Sequence, residues 1–150
     1  MAHVRPVDKR DLETWAALRN ALWPDATRAD LRADLTMFFD GNSAFITAAF
    51  IALGDDESPL GFIELNLRPY AEGCESSPVP HIEGWYVVPT ARRAGVGTAL
   101  MHAAETWALW HGYTELTSDT TDRYPSSFAA HSANGFVEVE RLIAFHKKLR

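Results

Sequence analysis

The stretch that decides the fold reads Val87-Val88-Pro89-Thr90-Ala91-Arg92-Arg93-Ala94-Gly95-Val96-Gly97-Thr98. A β-branched and aromatic run precedes it and a long apolar-periodic segment follows it, so it joins a predicted strand to a predicted helix. Its two glycines let the backbone approach a ligand closely, and the first free N–H groups of the helix carry a partial positive charge. Arg92 and Arg93 add charge-assisted donors, and Thr98 adds a hydroxyl group. The stretch predicts an anion-binding loop that suits a pyrophosphate.

Two familiar anion-binding loops do not fit this spacing. No Gly-Lys-Ser/Thr follows four residues after the first glycine, as a P-loop requires. The three-glycine spacing of the dinucleotide fingerprint is also absent. Taken alone, these residues leave one alternative, a basic turn exposed to solvent.

The segments around the loop alternate between strand and helix patterns. Strands are predicted at residues 4–7, 44–53, 60–67, 81–88, 114–118 and 136–147, and helices at residues 8–22, 27–41, 95–111 and 125–133. Asp8 and Thr27 have the side chains of helix N-caps, and the turn between the second and third strands is typical of an antiparallel hairpin. The order predicts an α+β fold with a mixed, mostly antiparallel central sheet and helices on both faces.

Composition limits the class of protein. The chain has 150 residues, with 47% hydrophobic and 23% charged, so one domain spanning residues 1–150 is expected. The longest nearly apolar run, residues 44–53, is about half of the ~20 residues that a bilayer requires, which argues against a membrane protein. The opening residues lack the apolar stretch of a secretory signal, so a cytoplasmic location is expected. Cys74 is the single cysteine, and the histidines lack zinc-ligand spacing, so we expect no disulfide and no metal.

Charge is distributed unevenly along the chain. The net charge of −6 argues against nucleic acid as a partner. Residues 54–91 carry seven acidic side chains against Arg68 alone, and Arg92 and Arg93 follow at once. An acidic region beside a small basic loop suggests two ligands of opposite sign, a cation and an anion.

The loop also carries a family resemblance. A strand with V-x-P, then R-R-x-G-x-G, a helix, and Asn134-Gly135-Phe136 about forty residues on resemble the GCN5-related N-acetyltransferase superfamily. The resemblance implies that acetyl-CoA is the co-substrate. It also implies cofactor contacts for the strand residues Tyr86, Val87 and Val88 and for the loop residues Arg92, Arg93, Ala94, Gly95, Val96, Gly97 and Thr98.

A closer resemblance rests on four short motifs. They are Leu22-Trp23-Pro24-Asp25, Ile82-Glu83-Gly84, Ser118-Asp119, and His131 placed four residues before Gly135. Together they are similar to the aminoglycoside 6′-N-acetyltransferases, a dimeric branch of the superfamily. The resemblance implies a substrate site formed by Trp23, Tyr70, Glu83, Asp119 and Glu140. It also implies a homodimer, which the apolar positions of the last predicted strand favour.

Acetyl transfer to an amine needs a base, a polarised carbonyl and a protonated leaving thiolate. We expect Asp119 to be the base, with Glu83 as second choice, and a backbone N–H near Val87 to polarise the carbonyl. His131 stands where many superfamily members carry a tyrosine near the sulfur, and it is assigned to thiolate stabilisation or protonation. The alternatives are a surface charge or helix cap for each carboxylate, a surface histidine for His131, and a solvated strand face for Glu140.

Three hypotheses about function follow. The first is an aminoglycoside 6′-N-acetyltransferase that works by direct attack in a ternary complex and confers antibiotic resistance. The second keeps the chemistry but replaces the drug with a polyamine or another small or protein amine. The third is a non-catalytic acyl-CoA-binding module. The acidic residues favour a polycationic small molecule, but they do not separate aminoglycosides from polyamines.

Overall fold

The structure, a computed structural model, describes residues 2–150 and contains a five-stranded sheet. Its strands are β1 His3–Pro6, β2 Ala48–Leu53, β3 Pro59–Arg68, β4 Val79–Val87 and β5 Thr117–Ser118. They lie in the order β1-β2-β3-β4-β5. The first three neighbouring pairs are antiparallel and β4 pairs with β5 in parallel. The prediction of a mixed, mostly antiparallel sheet is confirmed.

Four helices accompany the sheet. They are α1 Leu12–Leu22, α2 Arg28–Phe39, α3 Val96–Trp110 and α4 Pro125–Ala133. The Thr27 hydroxyl caps α2 by accepting from Asp30 N, as predicted. Asp8 caps a short 3-10 turn that leads into α1 rather than α1 itself. None of these helices is long and apolar enough to span a bilayer, a finding that covers residues 2–150.

The hydrophobic core lies on both faces of the sheet. On one face α1 and α2 bury Trp15, Leu18 and Leu35 against Ile51 and Phe62. On the other face α3 packs a second cluster against the sheet, formed by Leu100, Met101, Ala104, Ile63, Leu65 and Ile82. Because both faces are covered, every residue of β2 is buried and its sequence is continuously apolar. The predicted placement of helices on both faces is confirmed.

The predicted final strand at residues 136–147 is wrong. In the described chain no strand follows β5, and residues 137–150 are all exposed. Alternating apolar and polar residues produce a strand only when another strand edge accepts their backbone hydrogen bonds. This C-terminal arm, residues 137–150, pairs with no strand of the described chain. Strand β5 is also shorter than the predicted residues 114–118.

The last two strands diverge, and this divergence positions the site. Strand β5 pairs with β4 only at His81–Thr117 and Ile82–Ser118. Strand β4 then continues to Val87 without a neighbour on that side. A crevice opens between the two strands, bordered by the unpaired part of β4.

Candidate functional site

The unpaired edge of β4 presents free backbone groups to the crevice. The N–H of Val88 donates to Leu60 O at 2.9 Å, and Tyr86 lies opposite Phe62 in the same register. Since hydrogen-bonded and non-hydrogen-bonded pairs alternate between antiparallel strands, Trp85 and Val87 direct their N–H groups away from β3. Such an edge can accept an extended amide chain by strand addition. On the same edge, the carbonyl oxygen of Val87 already accepts a hydrogen bond from Arg92 Nε at 2.9 Å.

The predicted anion loop forms the start of α3. Arg93 and Gly95 have positive φ angles of 63° and 82°, and Gly95 caps the helix without a side chain. The first intrahelical hydrogen bond runs from Ala99 N to Gly95 O at 3.0 Å. The N–H groups of the first turn therefore have no intrahelical acceptor and point out of the helix. Together with the exposed Arg92 and Arg93, they form a cradle that fits a pyrophosphate.

The two predicted carboxylates lie at the opposite end of the crevice, gathered around Arg68. The Arg68 guanidinium donates to both Glu83 oxygens, at 2.6 and 3.0 Å. Asp119 follows β5 directly, and its side chain is 74% exposed. A proton on His81, with smaller contributions from Arg68 and His131, holds the pKa of Asp119 below its ordinary value. Asp119 is therefore available to a cationic ligand at neutral pH, while Glu83 is paired with Arg68.

Trp23 packs against β4 because of a glycine. A Cβ atom on Gly84 would lie 2.9 Å from Trp23 Cη2 and 3.1 Å from Phe62 Cε2, too close for a real contact. Gly84 directly follows Glu83, so the Trp23 ring reaches β4 one residue along from that carboxylate. The Arg19 guanidinium lies 5.0 Å from the ring centroid of Trp23. The half-buried ring offers an apolar surface of the kind that binds a sugar face.

His131 joins α4 to β5 and β4. Its Nδ1 atom lies 2.7 Å from Ser127 O, and its Nε2 atom lies 2.7 Å from Ser118 Oγ. Because a carbonyl only accepts, Nδ1 carries the proton and Nε2 accepts from the Ser118 hydroxyl. The ring also meets Trp85 edge to face, at 5.2 Å between centroids. His131 is thus held at the floor of the crevice, and its assignment to the thiolate stays a prediction.

Two residues implied by resemblance lie apart from this group. Tyr70 is exposed in the loop after β3, and Glu140 is exposed on the C-terminal arm. Within residues 2–150, neither side chain has a hydrogen bond or ion pair to Glu83 or Asp119. Their assignment to the substrate site stays a prediction.

Sequence reasoning did not find the roles of Arg68 and His81. Arg68 was visible as the single base in an acidic region, but its ion pair with Glu83 depends on the pairing of β3 with β4. His81 stands two residues before Glu83, but the register of β4 shifts at Glu83, so strand alternation offered no signal for it. Across residues 2–150, no group of three or more His, Cys, Asp or Glu side chains is arranged to hold a metal ion.

Comparison with known proteins agrees with this geometry. The profile of the acetyltransferase (GNAT) family matches residues 15–136. The chain is 47% identical to an aminoglycoside N(6′)-acetyltransferase type 1 of Klebsiella aerogenes, over 97% of this chain and 96% of that protein. It is 40% identical to a protein of the same name from Stenotrophomonas maltophilia, over 97% and 93% of the two chains.

Solved structures give the same result. AAC(6′)-Iy in complex with the bisubstrate analogue CoA-S-monomethyl-acetylneamine superposes with a TM-score of 0.89 at 35% identity, covering 99% of both chains. AAC(6′)-Ih from Acinetobacter baumannii superposes with a TM-score of 0.86 at 32% identity, covering 100% of both chains. The likeness therefore extends over the whole sheet and both helical layers.

Proposed function

The chain belongs to the acetyltransferase (GNAT) family, and from this premise we propose that it transfers the acetyl group of acetyl-CoA to the 6′-amine of an aminoglycoside. One observation carries the proposal. The unpaired edge of β4 leads from the cationic start of α3 to the carboxylates Glu83 and Asp119. The diphosphate of acetyl-CoA suits the cationic end, and the ammonium group of an aminoglycoside suits the carboxylate end. The N-acetylated drug loses a positive charge, which accounts for antibiotic resistance.

Acetyl-CoA fits the groups along this edge. The N–H groups of Val96, Gly97 and Thr98, with Arg92 and Arg93, suit its pyrophosphate. The free N–H group of Trp85 suits an amide of its extended pantetheine arm. The Val87 N–H polarises the thioester carbonyl, since a donor fixed in place before the reaction is worth about 3 kcal/mol to a developing negative oxygen.

The amine is bound and activated by the carboxylate end. At neutral pH the 6′-ammonium must lose one proton before its nitrogen can attack. Asp119 accepts that proton, directly or through a water molecule, while Glu83 and the Trp23 ring hold the sugar. The nitrogen then forms a bond to the carbonyl carbon and the carbon–sulfur bond breaks. The nitrogen loses its second proton as it becomes an amide, and the thiolate takes up one proton to give the free thiol of CoA.

Release of free CoA thiol tests the proposal. Kanamycin, which has a 6′-amine, is compared with spermidine and with no acceptor, using acetyl-CoA as donor. We expect rapid thiol release with kanamycin, and not with spermidine or without an acceptor. Release with spermidine and not kanamycin would favour the polyamine alternative, and binding of acetyl-CoA without release would favour the acyl-CoA-binding module.

The proposal includes a homodimer, supported by the C-terminal arm. Its side chains include Val137, 80% exposed, and Phe145, 92% exposed. The accessible surface of the chain is 9838 Å², about 2,200 Å² more than a compact monomer of this mass has. That excess is larger than the area that each partner buries in a stable interface of standard size, so a second copy of the chain can cover it. Light scattering is expected to give a dimer for the full chain and a monomer after removal of residues 137–150; a monomeric full chain would contradict this.

The remaining assignments are part of the same proposal. Tyr70 and Glu140 extend the aminoglycoside site, and His131 stabilises or protonates the thiolate. Residues 1–150 act as one domain, in the cytoplasm, where acetyl-CoA is available. His131→Ala tests the thiolate assignment, because a maximal rate unchanged across pH would remove it.

A further inference from the structure

His81 is a buried titratable group that the acetyl-transfer chemistry above does not use. It lies on β4 with 2% of its surface exposed, directly opposite Thr117 on β5. Its Nδ1 atom is 2.8 Å from Thr117 Oγ1. Among residues 2–150 its Nε2 atom has no hydrogen-bond partner, and it lies 3.4 Å from Asp119 Oδ2. Buried polar atoms are rarely left unpaired, so this nitrogen calls for an explanation.

The hydrogen bonds around Thr117 determine which ring nitrogen carries the proton. The Thr117 hydroxyl donates its only hydrogen to Pro80 O at 3.1 Å. It must therefore accept from His81, so the proton of the neutral ring is on Nδ1. The bare Nε2 then faces an ionised carboxylate, which is a contact between two acceptors. A proton placed between Nε2 and Oδ2 turns this contact into a hydrogen bond.

We propose that His81 Nε2 holds the proton that Asp119 removes from the substrate ammonium. The inference rests on the proposed function, because it assigns Asp119 as the base. The ammonium N–H bond breaks and its proton passes by way of Oδ2 to Nε2, leaving a neutral amine, an ionised Asp119 and an imidazolium. After the product leaves, the imidazolium returns the proton to water through Asp119. His81 acts through Asp119 and is a positioning residue.

The arrangement compensates for a limit of Asp119 as a base. An ionised carboxylate is a weak base at neutral pH, whereas an imidazole is a stronger one. Asp119 reaches solvent and substrate, while His81 lies behind it. Arg68 on β3, paired with Glu83 on β4, and His131 on α4 also act on Asp119.

The pH dependence of kcat/KM separates proton storage from packing. The variant His81→Gln offers an amide that can hydrogen-bond to Asp119 but takes up no proton. We expect its kcat at neutral pH to fall tenfold or more, with KM changed less than about twofold, and its acid limb to move to lower pH. His81→Phe, which keeps the ring volume, is expected to behave similarly. His102→Phe on the exposed side of α3 is the matched control and keeps the wild-type profile. A wild-type rate and acid limb in His81→Gln would overturn the inference.

Nitrogen-15 NMR of the histidine rings tests the same pair without any acetyl transfer. We expect the neutral His81 ring to be the Nδ1–H tautomer and Nε2 to become protonated over the pH range of the acid limb. A neutral ring protonated on Nε2, or an Nε2 that takes up no proton where the acid limb lies, would overturn the inference. If the NMR result holds but no aminoglycoside is acetylated, the proposed function fails while the His81–Asp119 pair stands.

Discussion

Two Arg–Glu pairs occupy different parts of the molecule and differ in what water can reach. Glu64 on β3 is fully buried under α1, where it accepts from Arg19 Nε at 2.5 Å and from Trp15 Nε1 at 3.1 Å. Arg68, four residues further along β3, pairs with Glu83 at the crevice, with side chains 36% and 24% exposed. The first pair is enclosed by the core and the second opens to ligand. The same ion-pair chemistry therefore stabilises the fold in one place and can receive an ammonium in the other.

The enclosed pair also contacts an aromatic ring that reaches β4. Burial raises the pKa of Glu64, while the Arg19 guanidinium acts against that rise. The Arg19 guanidinium lies 5.0 Å from the ring centroid of Trp23, and Trp23 packs against Gly84, the residue that follows Glu83.

Asp119→Asn is expected to have the largest effect on activity. Removing the base lowers kcat by about 10²–10⁴-fold, because the carboxamide cannot accept the ammonium proton. Thermal stability stays near wild type, since the side chain is exposed. Thiol release and thermal unfolding measure both effects, with the exposed Asp40→Asn as control. An Asp119→Asn enzyme of wild-type rate would mean that another group is the base.

Glu64→Gln is expected to have the largest effect on stability. Among residues 2–150 it leaves the buried Arg19 guanidinium with the partly exposed Asp34 as its remaining ionic partner, at 3.3 Å, and with Leu31 O as a hydrogen-bond acceptor. Breaking a buried pair in this way costs about 3 kcal/mol of the free energy of unfolding. Urea denaturation measures the loss. If stability changed by less than about 1 kcal/mol, the contrast between enclosed and open pairs would fail.

Glu83→Gln is expected to affect activity more than stability, in contrast to Glu64→Gln. Its ion pair with Arg68 is partly exposed, so the loss of stability stays below about 1 kcal/mol. The loss of one negative charge beside the ammonium raises KM for the aminoglycoside about tenfold, with a smaller effect on kcat. Steady-state kinetics and urea denaturation of the same sample provide the comparison. A stability loss equal to that of Glu64→Gln would refute it.

The smallest expected effect concerns acid stability at a third pair. Arg5 donates to both oxygens of the buried Asp11, at 2.7 and 2.8 Å, and holds the pKa of Asp11 below its ordinary value. A lowered pKa means that this contribution is present above the unfolded-state value near pH 4 and is lost as the pH falls through the folded-state value. Asp11→Asn is expected to be on the order of 1 kcal/mol less stable at pH 7 and to have a flatter acid dependence. Urea denaturation between pH 3 and 7 measures the free energy of unfolding. If its pH dependence in Asp11→Asn were identical to wild type, Asp11 would contribute nothing to acid stability.

Local patterns predicted most of the fold, and contacts distant in sequence explain the failures. Helix caps, hydrophobic periodicity and the loop of residues 87–98 each depend on residues close together in sequence. The helices and the hairpin could therefore be predicted from them. The strand at 136–147 was wrong because alternation alone does not form a strand, and these residues pair with no strand of the described chain. The carboxylates Glu83 and Asp119 were found by resemblance. The position of His81 behind Asp119 depends on the pairing of β4 with β5, which no local pattern encodes.

A crystal structure with both CoA and kanamycin bound tests the central claim most directly. The account predicts the diphosphate at the N–H groups of Val96 to Thr98, the pantetheine arm along Trp85 and Val87, and the 6′-nitrogen within hydrogen-bonding reach of Asp119 and close to the sulfur. A CoA molecule bound outside the crevice between β4 and β5, or a 6′-nitrogen remote from both Asp119 and Glu83, would contradict it.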